Sequence, residues 1–140
     1  MLSDTLNTNE IKNAAGVEVE FETQAEGPGR VHEFRQIGES PALPFRLRLA
    51  HSESGTGLTL RRRSLLRVDK RVMSTVDSTV PVTVSAYAVI DAPIGAMTSD
   101  AEFKNVLATL ISALASTGAD TVIKFDCSGT FAKELISGGI

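Results

Sequence analysis

The chain has 140 residues, 42% of them hydrophobic, and a net charge of -3. That length and composition suit one domain with its own core and exclude a chain disordered throughout. No stretch approaches 18 uninterrupted apolar residues, so no membrane-spanning helix and no membrane partner are expected, and a lone cysteine, Cys127, excludes an intrachain disulfide or a cysteine metal cage.

The first residues, Met1-Leu2-Ser3-Asp4-Thr5, lack the basic-then-apolar order of a secretory signal, so synthesis in the cytosol is expected. Charge is unevenly spread. Residues 1–40 hold eight acids and three bases, residues 41–72 two acids and eight bases, and residues 73–140 seven acids and three bases. The middle segment is therefore a basic block inside an acidic chain, and the average conceals it.

In chain order, Asp4 to Lys12 reads as a first strand, and Asn13-Ala14-Ala15-Gly16 as a turn into Val17 to Glu22, which alternates strictly. These make an N-terminal hairpin over residues 1–23. The glutamates at period two, with no histidine or base nearby, read as a solvated face rather than as paired catalytic carboxylates. Glu26-Gly27-Pro28-Gly29 signals a turn before a third strand, Arg30 to Ile37, whose Val31, Glu33, Arg35 and Ile37 oppose His32 and Phe34. A fourth strand, Pro44 to Ser52, ends in the hairpin connection Glu53-Ser54-Gly55-Thr56-Gly57. The two glycines there are too few for a phosphate loop.

The fifth strand runs from Leu58 to about Arg71, the polar Met73 to Thr79 connects it to a sixth, Val80 to Asp91, and Pro93 ends the sheet region of residues 30–93. The period then changes. Ser99-x-x-Glu102 is a capping box, and Phe103, Val106, Leu107, Leu110, Ile111 and Leu114 follow the spacing of an amphipathic helix over residues 98–117, stopped by Gly118. Residues 119–140, including Ala119 to Asp126 and Thr130 to Ser137, fit either short helix or extended arm, with Gly138 to Ile140 frayed. The class is α+β: an N-terminal β-hairpin plus a five-stranded antiparallel sheet, followed by a C-terminal helix or helices.

Five strands span about 24 Å at ~4.8 Å each, whereas one helix covers only about 10–12 Å. A second copy is expected to complete the cover, as a homodimer with a ten-stranded sheet. Alternation then sends Leu47, Leu49, Leu58, Leu60, Leu66 and Val68 to the helix side, and Arg46, Arg48, Thr59, Arg61, Arg63, Arg67, Ser85 and Tyr87 to the other. Arg62 falls out of phase: it sits on the helix side, snorkels at an edge, or marks a bulge near Ser64 and Leu65. Arginines for phosphates and a tyrosine for stacking suit single-stranded RNA. The plain alternative is a surface sheet with solvated arginines.

The strand pair Pro44 to Ser52 and Leu58 to Arg71, with Arg61-Arg62-Arg63-Ser64-Leu65-Leu66-Arg67-Val68-Asp69, leads into Pro81-Val82-Thr83-Val84-Ser85-Ala86-Tyr87-Ala88-Val89-Ile90-Asp91-Ala92-Pro93. Then come Thr98-Ser99-Asp100 and a helix through Leu107-Ala108-Thr109-Leu110-Ile111. In length, element order and this strand-Pro-capped-helix junction the chain resembles the coat protein of the single-stranded RNA bacteriophages, the levivirus-type family. Residues beyond Gly118, Cys127 to Ile140 above all, match no pattern of that family. The resemblance implies a single coat-protein domain, dimers assembling into an icosahedral capsid, and viral genomic single-stranded RNA as partner. It also implies binding of an RNA hairpin that represses replicase translation, with synthesis in the bacterial host cytoplasm and a final place in the virion. It assigns Arg46, Arg48, Thr59, Arg61, Arg63, Ser85 and Tyr87 to RNA-facing positions, and residues 73–79 to a loop at symmetry axes.

An enzyme is the competing class, but two histidines, His32 and His51, and one cysteine make no Ser/His/Asp or metal-ligand cluster. No catalytic residue, metal or cofactor is expected. His51 could touch RNA, and Cys127 is an unpaired thiol or half of an intermolecular bridge. The serious alternative is a non-viral dimeric, sheet-based RNA-binding or interaction domain.

Overall fold

The computed structural model describes residues 5–6, 11–27, 30–116 and 123–139. They form two compact units, one within Met1–Ile11 and Val19–Thr98, the other within Lys12–Glu18 and Ser99–Ile140. The first is a single antiparallel sheet: β1 (Thr5–Leu6), β2 (Phe21–Gly27), β3 (Val31–Gln36), β4 (Phe45–Ser54), β5 (Arg61–Met73) and β6 (Pro81–Ala92), in that spatial order. The second holds α1 (Ala101–Ala115) and α2 (Thr130–Ser137), which touch one another. This is the expected α+β arrangement, with the two-residue β1 added at the β2 edge of the five longer strands.

Register decides what each face carries. Pairing of β4 with β5 runs unbroken from Phe45 opposite Lys70 to Ser54 opposite Arg61, and that of β5 with β6 from Arg62 opposite Ala92 to Met73 opposite Pro81. Without a bulge in either ladder, strict alternation holds across all three strands. The one irregularity lies between β2 and β3, where Gln24 is an extra residue between Thr23 and Ala25.

The core lies on the leucine face. Phe34, Leu47 and Val68 stand opposite one another on β3, β4 and β5, and Val19 and Phe21 close over them with Ile11 and Phe45. The rings of Phe21 and Phe45 meet edge to face at 5.3 Å, a favoured aromatic arrangement. Burial fades toward β6 on the same face: Leu66 is 44% exposed and Val84 62%.

Element ends differ from the sequence expectation for local reasons. Strand β5 starts at Arg61 rather than Leu58, because Gly57 to Thr59 make a 3-10 turn in which the Thr59 hydroxyl donates to the Thr56 carbonyl at 2.7 Å. Gly55 and Gly57 take the positive φ values that this connection needs, 85° and 56°. The expected turn at Asn13 to Gly16 is present, with the Asn13 side-chain oxygen accepting from Ala15 and Val17 N–H. The capping box does not form. Ser99 Oγ accepts instead from the Ala101 N–H, Glu102 accepts from Asn105, and Asp100 pairs with Lys104 one turn on. The helix spans Ala101–Ala115, and of the two C-terminal candidates Thr130–Ser137 is helical. Pro28-Gly29, the stop at Gly118 and residues 119–122 lie outside the described residues.

After β6 the chain passes so close to the β4–β5 connection that only glycine fits. Gly95 N–H donates to the Leu60 carbonyl at 2.9 Å, and a Cβ on Gly95 would lie 2.0 Å from the Gly57 carbonyl oxygen. Gly95→Ala is expected to cost about 1–3 kcal/mol, as overpacking against backbone does, and Phe21→Ala about 3–5 kcal/mol, as deletion of a buried ring does. Urea unfolding midpoints check both; a Gly95→Ala chain as stable as the wild type would refute the close approach.

Candidate nucleic-acid interface

The second face of the sheet is built in rows, since residues opposite one another on antiparallel strands share a face. One row is Glu33, Arg48, Arg67 and Tyr87; the next is Val31, Ala50, Leu65 and Val89; the third is Ser52, Arg63 and Asp91. Beyond the first row come Arg35, Arg46, Asp69 and Ser85, then Arg71 opposite Thr83. Seven of the eight residues expected on this face, Arg46, Arg48, Arg61, Arg63, Arg67, Ser85 and Tyr87, are therefore brought together. Thr59 is not among them: it lies in the 3-10 turn before β5, its hydroxyl engaged with Thr56.

The middle row is apolar. Val31, Ala50, Leu65 and Val89, with His51, Ser52 and Arg63, line an open hollow of about 460 Å³. A second hollow of about 200 Å³ lies between Glu33, Arg46, Leu47, Arg48, Arg67 and Asp69. An apolar trough bordered by arginines can accept a flat aromatic group while its edges hold anions.

Most of these arginines are already paired. Arg46 meets Glu39 at 2.7 Å, Arg67 meets Asp69 at 2.9 Å, Arg61 meets Asp91 at 2.9 Å, Arg35 meets Glu22 at 2.8 Å, and Arg48 lies 3.8 Å from Glu33. Among the described residues Arg63 and Arg71 have no such partner. Glu39 is the most enclosed of the acids, its side chain 8% exposed; it also accepts the Phe45 N–H at 2.9 Å, so it ties Arg46 to the start of β4. Arg46 Nε is buried without a hydrogen bond among the described residues. The other pairs are exposed, and such pairs contribute about 0–1 kcal/mol, so an incoming phosphate can displace them. Sequence reasoning missed Arg35, Arg71 and all five carboxylates. Asp69 and Arg71 were within reach of it, because they continue the period-two series from Arg67; Glu39 was not, since nothing local links it to Arg46.

Tyr87 is 67% exposed and carries the Arg67 guanidinium 5.9 Å from its ring centre. Ser85 donates its hydroxyl to Asp69 Oδ1.

Arg62 lies on the leucine face, opposite Glu53 and Ala92, near the end of the ladders and without a bulge. Its guanidinium meets Glu53 at 2.9 Å, and Arg30 reaches the same carboxylate at 3.1 Å. The hydrogen bond from Arg62 above all, then Arg30, holds Glu53 below its usual range. On the same face His51 Nδ1 meets Ser64 Oγ at 2.8 Å, and desolvation, then Arg30, Arg62 and His32, lower its pKa. His51, which also borders the apolar hollow, is thus oriented by Ser64 beside it on the leucine face. Among the described residues no group of histidine, cysteine and acidic side chains is arranged to hold a metal, and Cys127 is exposed and unpaired.

No family model and no curated protein sequence matches the chain. Solved structures do. The chain is similar to the chain of the virus-like particle of Beihai levi-like virus 21, at 12% identity and a TM-score of 0.61, over 97% of this chain and 94% of the other. The virus-like particle of bacteriophage ESE058 matches at 14% identity and 0.59, over 88% and 99% of the two chains. That of bacteriophage AVE015 matches at 11% and 0.56, over 86% and 80%. The chain therefore has the fold of these levi-like phage particle proteins, shared over nearly its whole length.

The Asp69 carboxyl is held below its ordinary 3.8 chiefly by the Ser85 hydroxyl, with Arg67 adding to it. A lowered folded value means that its contribution to stability is present above 3.8 and lost as pH falls through the folded value. Ser85→Ala is expected to move the Asp69 titration upward toward 3.8, followed by carboxyl NMR shifts. A titration unmoved by Ser85→Ala would remove Ser85 as the main cause.

Proposed function

We propose that the chain is a coat protein: its dimers assemble into an icosahedral capsid and package single-stranded RNA against the arginine-bearing face of the sheet. The observation that carries this reading is the near-complete overlap in fold with chains that form virus-like particles. No enzymatic role is assigned.

Two features support a dimer. Strand β6 is an edge: twelve residues long, it pairs with β5 alone among the described residues. A bare edge of that length invites strand pairing, and two copies meeting there by a two-fold axis join β2 to β6 of each into ten strands. Apolar residues also remain uncovered in the single chain, Leu66, Val82 and Val84 on the sheet and Val106, Leu110 and Ile111 on α1. Exposed apolar side chains on a sheet face and on a helix are what an interface between copies would cover.

RNA packaging rests on the face itself. Arg46, Arg48, Arg61 and Arg63 meet phosphates, Arg67, Ser85 and Tyr87 lie among them, and an unpaired base enters the trough of Val31, Ala50, Leu65 and Val89. Thr59, at the margin, is a weaker member of the set. In the same reading the face binds an RNA hairpin and represses replicase translation, and the protein ends in the virion.

Expression in bacteria is expected to give uniform particles containing nuclease-protected RNA, visible by electron microscopy. Only free dimers or monomers across salt and concentration would sink the coat-protein reading and favour a non-viral RNA-binding module. Arg46, Arg48 and Arg63 changed together to alanine should weaken RNA binding and lower its salt slope by about 2, at roughly 0.7 per phosphate contact on single strands, with the dimer still folded. Unchanged RNA content would remove these arginines from the site.

A further inference from the structure

Asp69 stands at the centre of the arginine face, opposite Arg46 on β4 and Ser85 on β6. Arg46 is taken by Glu39, which leaves the Asp69 carboxylate to Arg67 and Ser85. Arg67 Nε lies 3.0 and 2.9 Å from the two Asp69 oxygens, and the Ser85 hydroxyl donates to one of them. The guanidinium so held is the one that lies over the Tyr87 ring at 5.9 Å.

A free arginine on a surface meets any phosphate within reach. One that is tied to a carboxylate and held over a ring is partly neutralised, and so better matched to a base than to a phosphate. The Ser85 hydroxyl first, then Arg67, favours the ionised form of Asp69.

We propose that Asp69 is a positioning residue that turns Arg67 from a phosphate contact into half of a preset Arg67–Tyr87 stacking pair, so that this part of the face selects unpaired bases over bare backbone. The proposal rests on the RNA-binding reading. Asp69 itself touches no RNA; it acts through Arg67 and Tyr87.

The test compares two ligands, an oligoadenylate and an abasic ribose-phosphate strand of equal length, on the full-length protein across a salt series. Tyr87 is the only tyrosine and the chain has no tryptophan, so intrinsic emission of the RNA-free protein reports this ring alone. The wild type is expected to prefer the oligoadenylate. In Asp69→Asn that preference should fall roughly fivefold, the scale of one stacking contact. The salt slope on the abasic strand should steepen by about 0.7 as Arg67 becomes free for a phosphate, and the Tyr87 emission should change. Arg67→Lys keeps the charge but cannot lie flat, so it should lose the preference with the slope unchanged, and it carries the test if Asp69→Asn does not fold. Equal scaling of both ligands by either variant, or an unchanged preference, overturns the positioning role while leaving RNA binding intact. A wild type that holds neither strand overturns the RNA-binding reading itself, and the role of Asp69 with it.

Discussion

The unbroken register of β4, β5 and β6 is the constraint on which the rest depends. A slip of one residue between β4 and β5 would turn one strand over relative to the other, sending Arg46 and Arg48, or Arg67, into the core and Leu47, or Val68, out of it. The row of buried Phe34 and Leu47 and half-buried Val68 holds that register from one side, because only one alignment brings all three to the core. Core and arginine face are therefore two outcomes of one alignment. The irregularity that the sheet does contain, at Gln24, lies between β2 and β3, away from the ladders that carry the arginines.

Second in importance is how the basic face is held in the absence of a ligand. Glu22, Glu33, Glu39, Asp69 and Asp91 each meet one of its arginines, and they come from five different segments of the chain. The face is pre-arranged rather than simply charged: guanidiniums are aimed before any anion arrives, which lowers the ordering cost of binding. Such pairing also makes a first contact conditional, since a phosphate must offer more than the carboxylate it displaces.

Much of this was legible in the sequence where the physical signal is local. Alternation in Phe45 to Leu49 and in Arg61 to Val68 assigned faces correctly, and the out-of-phase Arg62 does lie on the leucine face, where Glu53 and Arg30 compensate it. Signals that depend on competing local bonds misled. The glycines before Leu58 and the Thr59 hydroxyl form a turn that delays β5, which removes Thr59 from the strand, and Ser99 caps by a nearer N–H than the capping box requires. Pairings set by folding, such as Glu39 with Arg46, leave no trace in spacing. The hollow over Val31, Ala50, Leu65 and Val89 needed the register of four strands at once, although each of the four is an ordinary apolar residue in its own segment.

The carboxylates on the arginine face bear on a different problem, the mutual repulsion of many copies. Seven arginines on this face, at positions 35, 46, 48, 61, 63, 67 and 71, stand against five paired carboxylates, so its residual charge is about +2 rather than +7. Coulomb energy between like faces grows with the square of that charge, so self-compensation reduces it by about an order of magnitude. In the proposed shell, subunits can then gather with their basic faces turned toward a common interior before much of the genome has arrived, and the order in which protein and RNA come together is not dictated by charge alone.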